Sequence, residues 1–484
     1  MFISLQYIPM ENLQQLLRYK GLLMKTETNI LKRQHGLFVS ICFVVGFIVG
    51  TGIFFLPGRV LYEVGRDIRL GILAWVIGGL MISTCVYMFS ILAGKYEKIH
   101  GFVDYSEAIV GKKYGYLAGW FFAVMYQPAG YAIIAWITSG FTATLANMNP
   151  ADEVYLPFRF FISAFFMAMA FVMNYLAPKI PVKFNVATTV ARMIPLVLMG
   201  TIGVIAGLII NDGAYNATSY APLTTGNASL FAAISATAFA FNGWQAALAF
   251  NSEMKDSKRN FPIALMAGFG LIIVIYVLYF IGVVLASPDG GTLIMQGGGA
   301  NFAQGTRNAF VNIFGGAAGN ILTGFMIISG LGILNACCLG MSRAMYSLGR
   351  RNMGPMPERM VQLDATTNVP NNSMVMAVGI GFIWLFVIFA NTNWFAGWFG
   401  AFRFSLPDFY NFSFFAMLVP IFICFAIKQK DLHWFKRIIA PIIAIFGAGF
   451  MYATYWIGSW LHAVVYTLTF IVLAIIGFLF YRER

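Results

Sequence analysis

The chain has 484 residues, of which 60% are hydrophobic, 17% aromatic and only 10% charged, and its mean hydropathy is +0.76. This composition excludes a soluble domain and predicts a polytopic membrane protein. In a soluble protein the formal net charge of +13 would favour a nucleic-acid partner. Here the basic residues lie in short segments between hydrophobic spans, so the membrane accounts for them and we expect no nucleic-acid partner.

Twelve segments hold the run of about 20 apolar residues that a helix needs to cross a bilayer. They predict an all-α integral membrane protein with twelve transmembrane helices. Residues 1–35 lack the hydrophobic core and cleavage site of a signal peptide and are expected to form a cytoplasmic N-terminal segment. The predicted spans are 36–57, 70–94, 115–147, 157–177, 184–210, 229–252, 262–286, 317–346, 373–391, 405–427, 438–457 and 459–481.

The orientation follows from the distribution of Lys and Arg between the two sides of the membrane. With the amino terminus inside, 24 of the 31 Lys and Arg residues fall on the inner side. Because short cytoplasmic loops are enriched in these residues, both termini are expected in the cytoplasm of a multi-pass cell-membrane protein. The residues on the outer side are Arg59, Arg66, Arg69, Arg159, Arg307 and Arg403.

Arg192 belongs to neither side of the membrane. It lies about eight residues into the predicted span 184–210, which is roughly 12 Å along a helix that rises 1.5 Å per residue. An ionisable residue at this depth is a functional hypothesis. The alternative is that its long side chain extends to the cytoplasmic surface.

The first span contains three glycines within seven residues, at positions 46, 50 and 52. At membrane depth a helix break is tolerated only where the freed N–H and C=O groups face a cavity or a ligand. The alternative is that these small residues merely let helices pack closely. A second interruption, Phe-Ala-Phe-Asn-Gly-Trp over 239–244, decides between the two. Paired breaks in the two halves of a chain are typical of transporters built from inverted repeats.

Sequence patterns of catalysis and metal binding are missing. The chain has no HExxH, GxSxG or Walker pattern, and its four histidines are scattered near span ends. The five cysteines all fall within hydrophobic spans and lack metal-ligand spacing. We therefore expect no enzyme activity, no cofactor, no metal site and no disulfide.

Three motifs in order resemble those of the amino acid, polyamine and organocation (APC) superfamily. The Gly-Thr-Gly-Ile-Phe sequence over 50–54 is similar to the Gly-Ser-Gly-Ile-Phe signature of that superfamily. The match continues through 239–244 into 251–262, and again at 342–346. Within the superfamily the chain looks most like bacterial relatives of the L-type amino acid transporters.

The resemblance implies a leucine-transporter-like architecture with a five-plus-five inverted repeat. The first repeat would cover 36–210, the second 229–427, and two additional helices 438–481. It also implies an amino acid bound between the two broken helices, a surrounding of membrane lipid, and transport by alternating access. Animal L-type relatives join an accessory subunit through a disulfide. Because no cysteine of this chain falls in a predicted outer loop, we expect no disulfide-linked subunit.

An α-amino acid carries a carboxylate and an ammonium, and both must be desolvated at mid-membrane. N–H groups at the start of a half-helix suit the carboxylate, and carbonyls freed at a half-helix end suit the ammonium. By analogy with the family, the amides of Thr51 and Gly52 would bind the carboxylate. The carbonyls of Ile48 and Asn242 would bind the ammonium, and Gly50 belongs to the same substrate-binding break.

Further candidate residues come from the resemblance and from the polar residues within spans. Phe239 matches an aromatic gate that closes over the substrate, although it can also be an ordinary core phenylalanine. Tyr126 and Gln127 on the third span and Asn335 on the eighth are candidate pocket-lining groups, although polar groups also hold helices together. Glu253 matches one partner of an inner-gate ion pair, and the alternative is a solvated loop charge.

Two departures from the family pattern bear on the transport mode and the substrate. Asn242 replaces a small or aliphatic residue and favours polar substrates. Arg192 falls where L-type transporters commonly carry a lysine, near the site that sodium occupies in sodium-coupled members of the fold. A fixed positive charge there predicts sodium independence. Because arginine effectively keeps its proton, it also argues against proton coupling through this residue and for exchange or facilitated diffusion.

Two other functions stay open from the sequence. One is a proton-coupled permease for amino acids or amines, which a carboxylate buried within a span would support. The other is a membrane sensor that binds an amino acid and does not transport it.

Overall fold

Every regular element that the computed structural model describes is a helix. The cytoplasmic segment predicted over 1–35 and the predicted gate residue Glu253 lie outside the described part of the chain. The described residues are 36–96, 101–177, 179–210, 228–248, 254–287, 302–364, 367, 369–393, 404–458 and 460–482.

The helices up to residue 210 cover the first five predicted spans and one short connection. A π-helical turn, Phe121–Tyr126, lies within α5, and another, Met199–Gly203, joins α7 to α8. The helices are α1 Leu37–Ile48, α2 Gly52–Glu63, α3 Ile68–Lys95, α4 Phe102–Ile109, α5 Lys112–Leu145, α6 Tyr155–Leu176, α7 Lys179–Leu198 and α8 Val204–Ile210.

The remaining helices begin with the two pieces of a second broken segment. A third π-helical turn, Phe435–Ile439, opens α17. The helices are α9 Leu230–Thr237, α10 Trp244–Ala247, α11 Ser257–Leu285, α12 Phe302–Phe314, α13 Gly316–Arg350, α14 Pro357–Met360, α15 Asn371–Asn393, α16 Leu406–Lys428, α17 Phe435–Gly458 and α18 Trp460–Phe478.

Within the described residues, ten helical stretches are long and apolar enough to cross a membrane. The pair α1 and α2, bent by 57° at their junction, makes an eleventh if the two form one broken span. This confirms the predicted all-helical, multi-pass membrane protein. Of the predicted span 229–252, only α9, α10 and the break between them are described, so the count of twelve stays a prediction.

The broken segments pack against each other near the centre of the helix bundle. α2 contacts α9, whereas α1 contacts α10. α11 packs along both α1 and α3, and α13 packs along α5 and α7. The breaks therefore lie where helices from both halves of the chain converge.

A glycine allows the closest helix contact beside the second π-helical turn. Gly282 on α11 faces Met199, and a Cβ atom built on this glycine would lie 1.9 Å from the Met199 carbonyl oxygen. Carbon and oxygen atoms cannot approach so closely, so any larger residue would separate the two helices. The close packing of α11 against the turn depends on the absence of a side chain at Gly282.

We expect Gly282→Ala to lower the thermal stability of the purified protein, because overpacking of this kind costs on the order of 1–3 kcal/mol. Gly270→Ala on the same helix is the matched control, since a Cβ there meets no atom within 4 Å. Thermal unfolding in detergent measures both. Equal stability of the two variants would contradict this account of the helix contact.

Candidate functional site

The first break lies between α1 and α2. α1 ends at Ile48, and Val49 is extended, with φ −64° and ψ 104°. Thr51 precedes α2 and is almost completely buried. The amides in the first turn of a helix have no acceptor within that helix. The start of α2 therefore presents N–H groups and the positive end of a helix dipole at the break.

The second break reaches the first through a glycine. Gly243 precedes α10 with φ +106°, a conformation that favours glycine over every other residue. A Cβ atom at this position would lie 2.3 Å from the Phe47 carbonyl oxygen at the end of α1. Glycine is thus required here both by its backbone angle and by the approach of the two chains.

A cavity of about 260 Å³ opens between the two breaks. The structure places nine of the predicted residues on its wall, from four different parts of the sequence. The predicted residues that line it are Ile48, Gly50, Thr51, Gly52, Tyr126, Gln127, Arg192, Phe239 and Asn242.

Arg192 is 3% exposed and does not extend to the surface. Its Nη1 donates a hydrogen bond of 2.8 Å to the Val49 carbonyl, and its Nη2 bonds to the Thr189 hydroxyl. Its Nε has no acceptor among the described residues. Arg192 on α7 thus places its guanidinium against a carbonyl that has no helical partner at the break. Its charge is part of the cavity wall.

A tyrosine that the sequence did not single out connects the two breaks. The Tyr276 hydroxyl on α11 lies 3.4 Å from the Ile48 carbonyl oxygen and 3.1 Å from that of Ala240. A carbonyl oxygen has two lone pairs, so Ile48 keeps capacity for a second donor. Nothing in the sequence distinguishes this tyrosine from other aromatic residues of apolar spans.

Side-chain amides form one polar part of the wall. Asn242 donates to the Asn411 side chain on α16, and Asn411 in turn donates 3.0 Å to the Pro407 carbonyl. The Gln245 oxygen accepts from the Gly243 amide at 2.9 Å. The bond to Asn411 holds Asn242 in place at the cavity. Sequence reasoning missed Asn411 and Gln245, which lie in different spans.

Aromatic rings form another side of the cavity. The rings of Tyr126 and Tyr410 stack with centroids 4.1 Å apart. Phe239 meets Tyr410 edge to face at 5.9 Å, and on its other side meets Phe55 at 6.2 Å. Beside them lies Gln127, whose buried Oε1 has no hydrogen-bond partner among the described residues.

A family model that describes amino acid permeases matches residues 36–480. The chain belongs to this family. The match confirms the resemblance to the APC superfamily, and it confirms that the protein belongs among transporters and not among enzymes.

The permease is similar to three characterised proteins over most of its length. It is 26% identical to the serine/threonine exchanger SteT of Bacillus subtilis, covering 75% of this chain and 79% of SteT. It is 23% identical to the b(0,+)-type amino acid transporter 1 of Rattus norvegicus, and the match covers 94% of this chain and 88% of the rat transporter. It is 26% identical to the glutamate/serine transporter AimA of Bacillus subtilis, covering 76% and 67%.

Asn335, predicted as a candidate wall residue, is not part of the permease's cavity. It lies on α13 and its Oδ1 accepts a 3.1 Å hydrogen bond from Asn174 on α6, while its own amide nitrogen donates to the Leu331 carbonyl. Asn335 thus holds helices together, which is the role that a buried amide often has between membrane helices.

Sequence reasoning also missed ion pairs at the ends of α3 and α13. Arg351 at the end of α13 bonds to Asp104 at 2.6 Å and to Glu107 at 3.0 Å, both on α4. Lys95 bonds to Asp431 at 2.7 Å and holds the pKa of that carboxyl below its usual value. The signal available in the sequence was the two acids three residues apart on a short helix between spans.

We expect Tyr276→Phe to destabilise the permease by about 1–3 kcal/mol, because it removes the single O–H that the buried carbonyls of Ile48 and Ala240 share. Tyr279→Phe is the matched control on the same helix, since the buried Tyr279 hydroxyl has no partner among the described residues. Thermal unfolding of both variants in detergent is the measurement. A control variant as unstable as Tyr276→Phe would show that the hydroxyl does not connect the breaks.

Proposed function

We propose that the permease is a sodium-independent amino acid exchanger of the cell membrane that works by alternating access. The observation that carries this proposal is the hydrogen bond from Arg192 to the Val49 carbonyl at the first break. A carbonyl freed at such a break suits a sodium ion in sodium-coupled transporters of this kind. Here a permanent cation of the protein satisfies it, and no ion has to be taken from solution.

The cavity offers complementary groups for both ends of an amino acid. The amides of Thr51 and Gly52 at the start of α2 suit the carboxylate. The carbonyls of Ile48 and Asn242 suit the ammonium. The volume of about 260 Å³ lies below the roughly 300–1,000 Å³ of pockets for drug-sized ligands, as expected for one amino acid.

The proposed substrates are small polar amino acids. Asn242 places a side-chain amide on the cavity wall, and the Oε1 of Gln127 is an acceptor without a partner among the described residues. Both groups can bond to a substrate hydroxyl. SteT exchanges serine and threonine, and AimA transports glutamate and serine, so serine appears in the names of both bacterial relatives.

Exchange follows from what an empty cavity would leave unsatisfied. When the cavity closes without a substrate, the amides of α2 and the freed carbonyls lose water and gain no partner. Each unsatisfied buried group costs about 1–3 kcal/mol. The loaded protein therefore changes sides more readily than the empty one, and a substrate is required for each direction. In this proposal Phe239, whose ring contacts those of Tyr410 and Phe55, serves as the gate over the substrate.

The inverted repeat of 36–210 and 229–427 has support from matching elements. The broken pair α1 and α2 opens the first repeat, and the pair α9 and α10 opens the second. The next span of each repeat, α3 or α11, is followed by one short helix, α4 or α12, before the third span begins. The additional helices over 438–481 correspond to most of α17 and all of α18.

The proposed orientation places both termini in the cytoplasm. It rests on the enrichment of Lys and Arg on the inner side. The ion pairs of Arg351 and Lys95 would then lie at the cytoplasmic face. We expect the permease to act without a disulfide-linked subunit, because all five cysteines fall within predicted spans.

In proteoliposomes at equal pH, we expect uptake of labelled serine to require unlabelled serine inside and to be unchanged when choline replaces sodium. Arg192→Ala should reduce exchange about 5- to 150-fold, because the buried Val49 carbonyl loses its donor. Arg192→Lys, which keeps a positive charge, should retain more activity. Uptake into empty vesicles that collapses with a proton ionophore would refute exchange and favour proton coupling.

We expect Asn242→Ala to reduce the preference for serine over alanine about fivefold, since one hydrogen bond is worth about 1 kcal/mol. Competition of each unlabelled amino acid with labelled serine measures this preference. Asn335→Ala is the control, because it removes a buried amide that does not line the cavity. An unchanged preference in Asn242→Ala would exclude its side chain from substrate selection.

A further inference from the structure

A second cavity, the vestibule, has a volume of about 560 Å³. It lies at the end of α2, on the side that the Lys and Arg count assigns to the outside. Phe55 lines the vestibule, and its ring contacts Phe239 of the central cavity at 6.2 Å. The two cavities are therefore separated by an aromatic contact. The charged side chains of the vestibule are Arg59, Glu63 and Arg159.

Two of these charges already form ion pairs. Arg59 bonds to Asp408 at 2.8 Å, and its Nε lies 3.8 Å from a Glu63 carboxylate oxygen. The distance to Glu63 is long for an ion pair. Glu63 is also one-quarter exposed, so its carboxylate retains capacity for another donor.

Arg159 is different, because no carboxylate pairs with it among the described residues. It is 5% exposed at the start of α6, and its Nη2 donates 2.7 Å to the Trp136 carbonyl. The guanidinium carbon lies 4.2 Å from the Trp136 ring centroid and 5.6 Å from that of Tyr155. Its Nε has no acceptor in the described part of the chain. Aromatic faces and one carbonyl orient this cation without neutralising it.

A glycine of α5, Gly140, makes room for the Arg159 guanidinium. A Cβ atom on Gly140 would lie 3.1 Å from Nη2 of Arg159, so the charge rests against a glycine of α5. A buried cation without an anion is costly, and in a membrane protein such a residue marks a path for substrate or ions. Guanidinium groups bind carboxylates in a bidentate manner, and this one lines a cavity large enough for an amino acid.

We propose that Arg159, positioned by Trp136, forms an outer subsite that binds the carboxylate of the amino acid before it enters the central cavity. This inference rests on the proposed function. Glu63 lines the same vestibule with the opposite charge and suits the ammonium. A zwitterion thus meets both charges while its side chain lies among the aromatic residues of the vestibule.

The test measures KM from each side of the membrane in proteoliposomes of known orientation. Arg159→Gln should raise the outer KM for serine about tenfold, as expected for the loss of one charged hydrogen bond, and leave the inner KM unchanged. The outer KM of Arg159→Lys should lie between those of the wild type and of Arg159→Gln. Arg307→Gln is the matched control, because Arg307 is an outer arginine that bonds to Asn320 and does not line the vestibule.

Gly140→Ala provides a second variant that keeps the charge and displaces the guanidinium. It should raise the outer KM in the same direction as Arg159→Gln. Thermal unfolding of each variant separates binding from structure, since a purely structural Arg159 would lower stability and the maximal rate without a change in outer KM.

The outcomes distinguish the two proposals. If the wild type transports no amino acid, the proposed function fails, and the subsite fails with it. If the wild type transports serine and Arg159→Gln has an unaltered outer KM, or an equal rise on both sides, only the subsite is refuted. A rise confined to the outer side supports it.

Discussion

The backbone groups freed at two helix breaks set the main constraint on this structure. Inside a membrane each of them needs a partner, and water is not available to all of them. Arg192 satisfies the Val49 carbonyl, and Tyr276 contacts the carbonyls of Ile48 and Ala240. These two side chains come from α7 and α11, in different halves of the chain. The breaks are therefore stable only when both halves are packed together, and the cavity is a product of the whole bundle.

The sequence was most informative where a local rule was broken. Glycines within an apolar span, and an arginine at membrane depth, are both unfavourable unless something compensates, so each predicted a site. The structure places those residues on one cavity. The spans themselves followed from length and hydropathy alone. Their ends were less accurate, since α13 continues to Arg350, four residues beyond the predicted end, and Leu348 in its last turn is buried in an apolar cluster with Tyr116 and Met360.

The rest of the site could not be predicted because its members obey every local rule. Tyr276, Tyr410 and Asn411 are ordinary residues of membrane helices, and their roles depend on which residues the fold brings opposite them. Asn335 shows the reverse error. It is a buried amide in a plausible span, but it faces α6 and bonds to Asn174 instead of lining the cavity. Hydropathy gives the span and not its rotation, so the face that a polar residue presents stays undetermined until the helices are packed.

The two buried arginines have different roles. Arg192 stabilises the backbone, and Arg159 is the one proposed to bind the substrate. Arg192 donates one of its hydrogen bonds to the Val49 carbonyl just after α1, so its charge stabilises a conformation of the protein. Arg159 is oriented by a carbonyl and by aromatic rings, and none of these neutralises its charge. A cation that compensates the backbone can be permanent, whereas a cation that receives a mobile carboxylate must also release it. Aromatic rings and a carbonyl hinder neither the binding nor the release of the substrate carboxylate. They position the guanidinium without pairing with its charge, as a carboxylate of the protein would do.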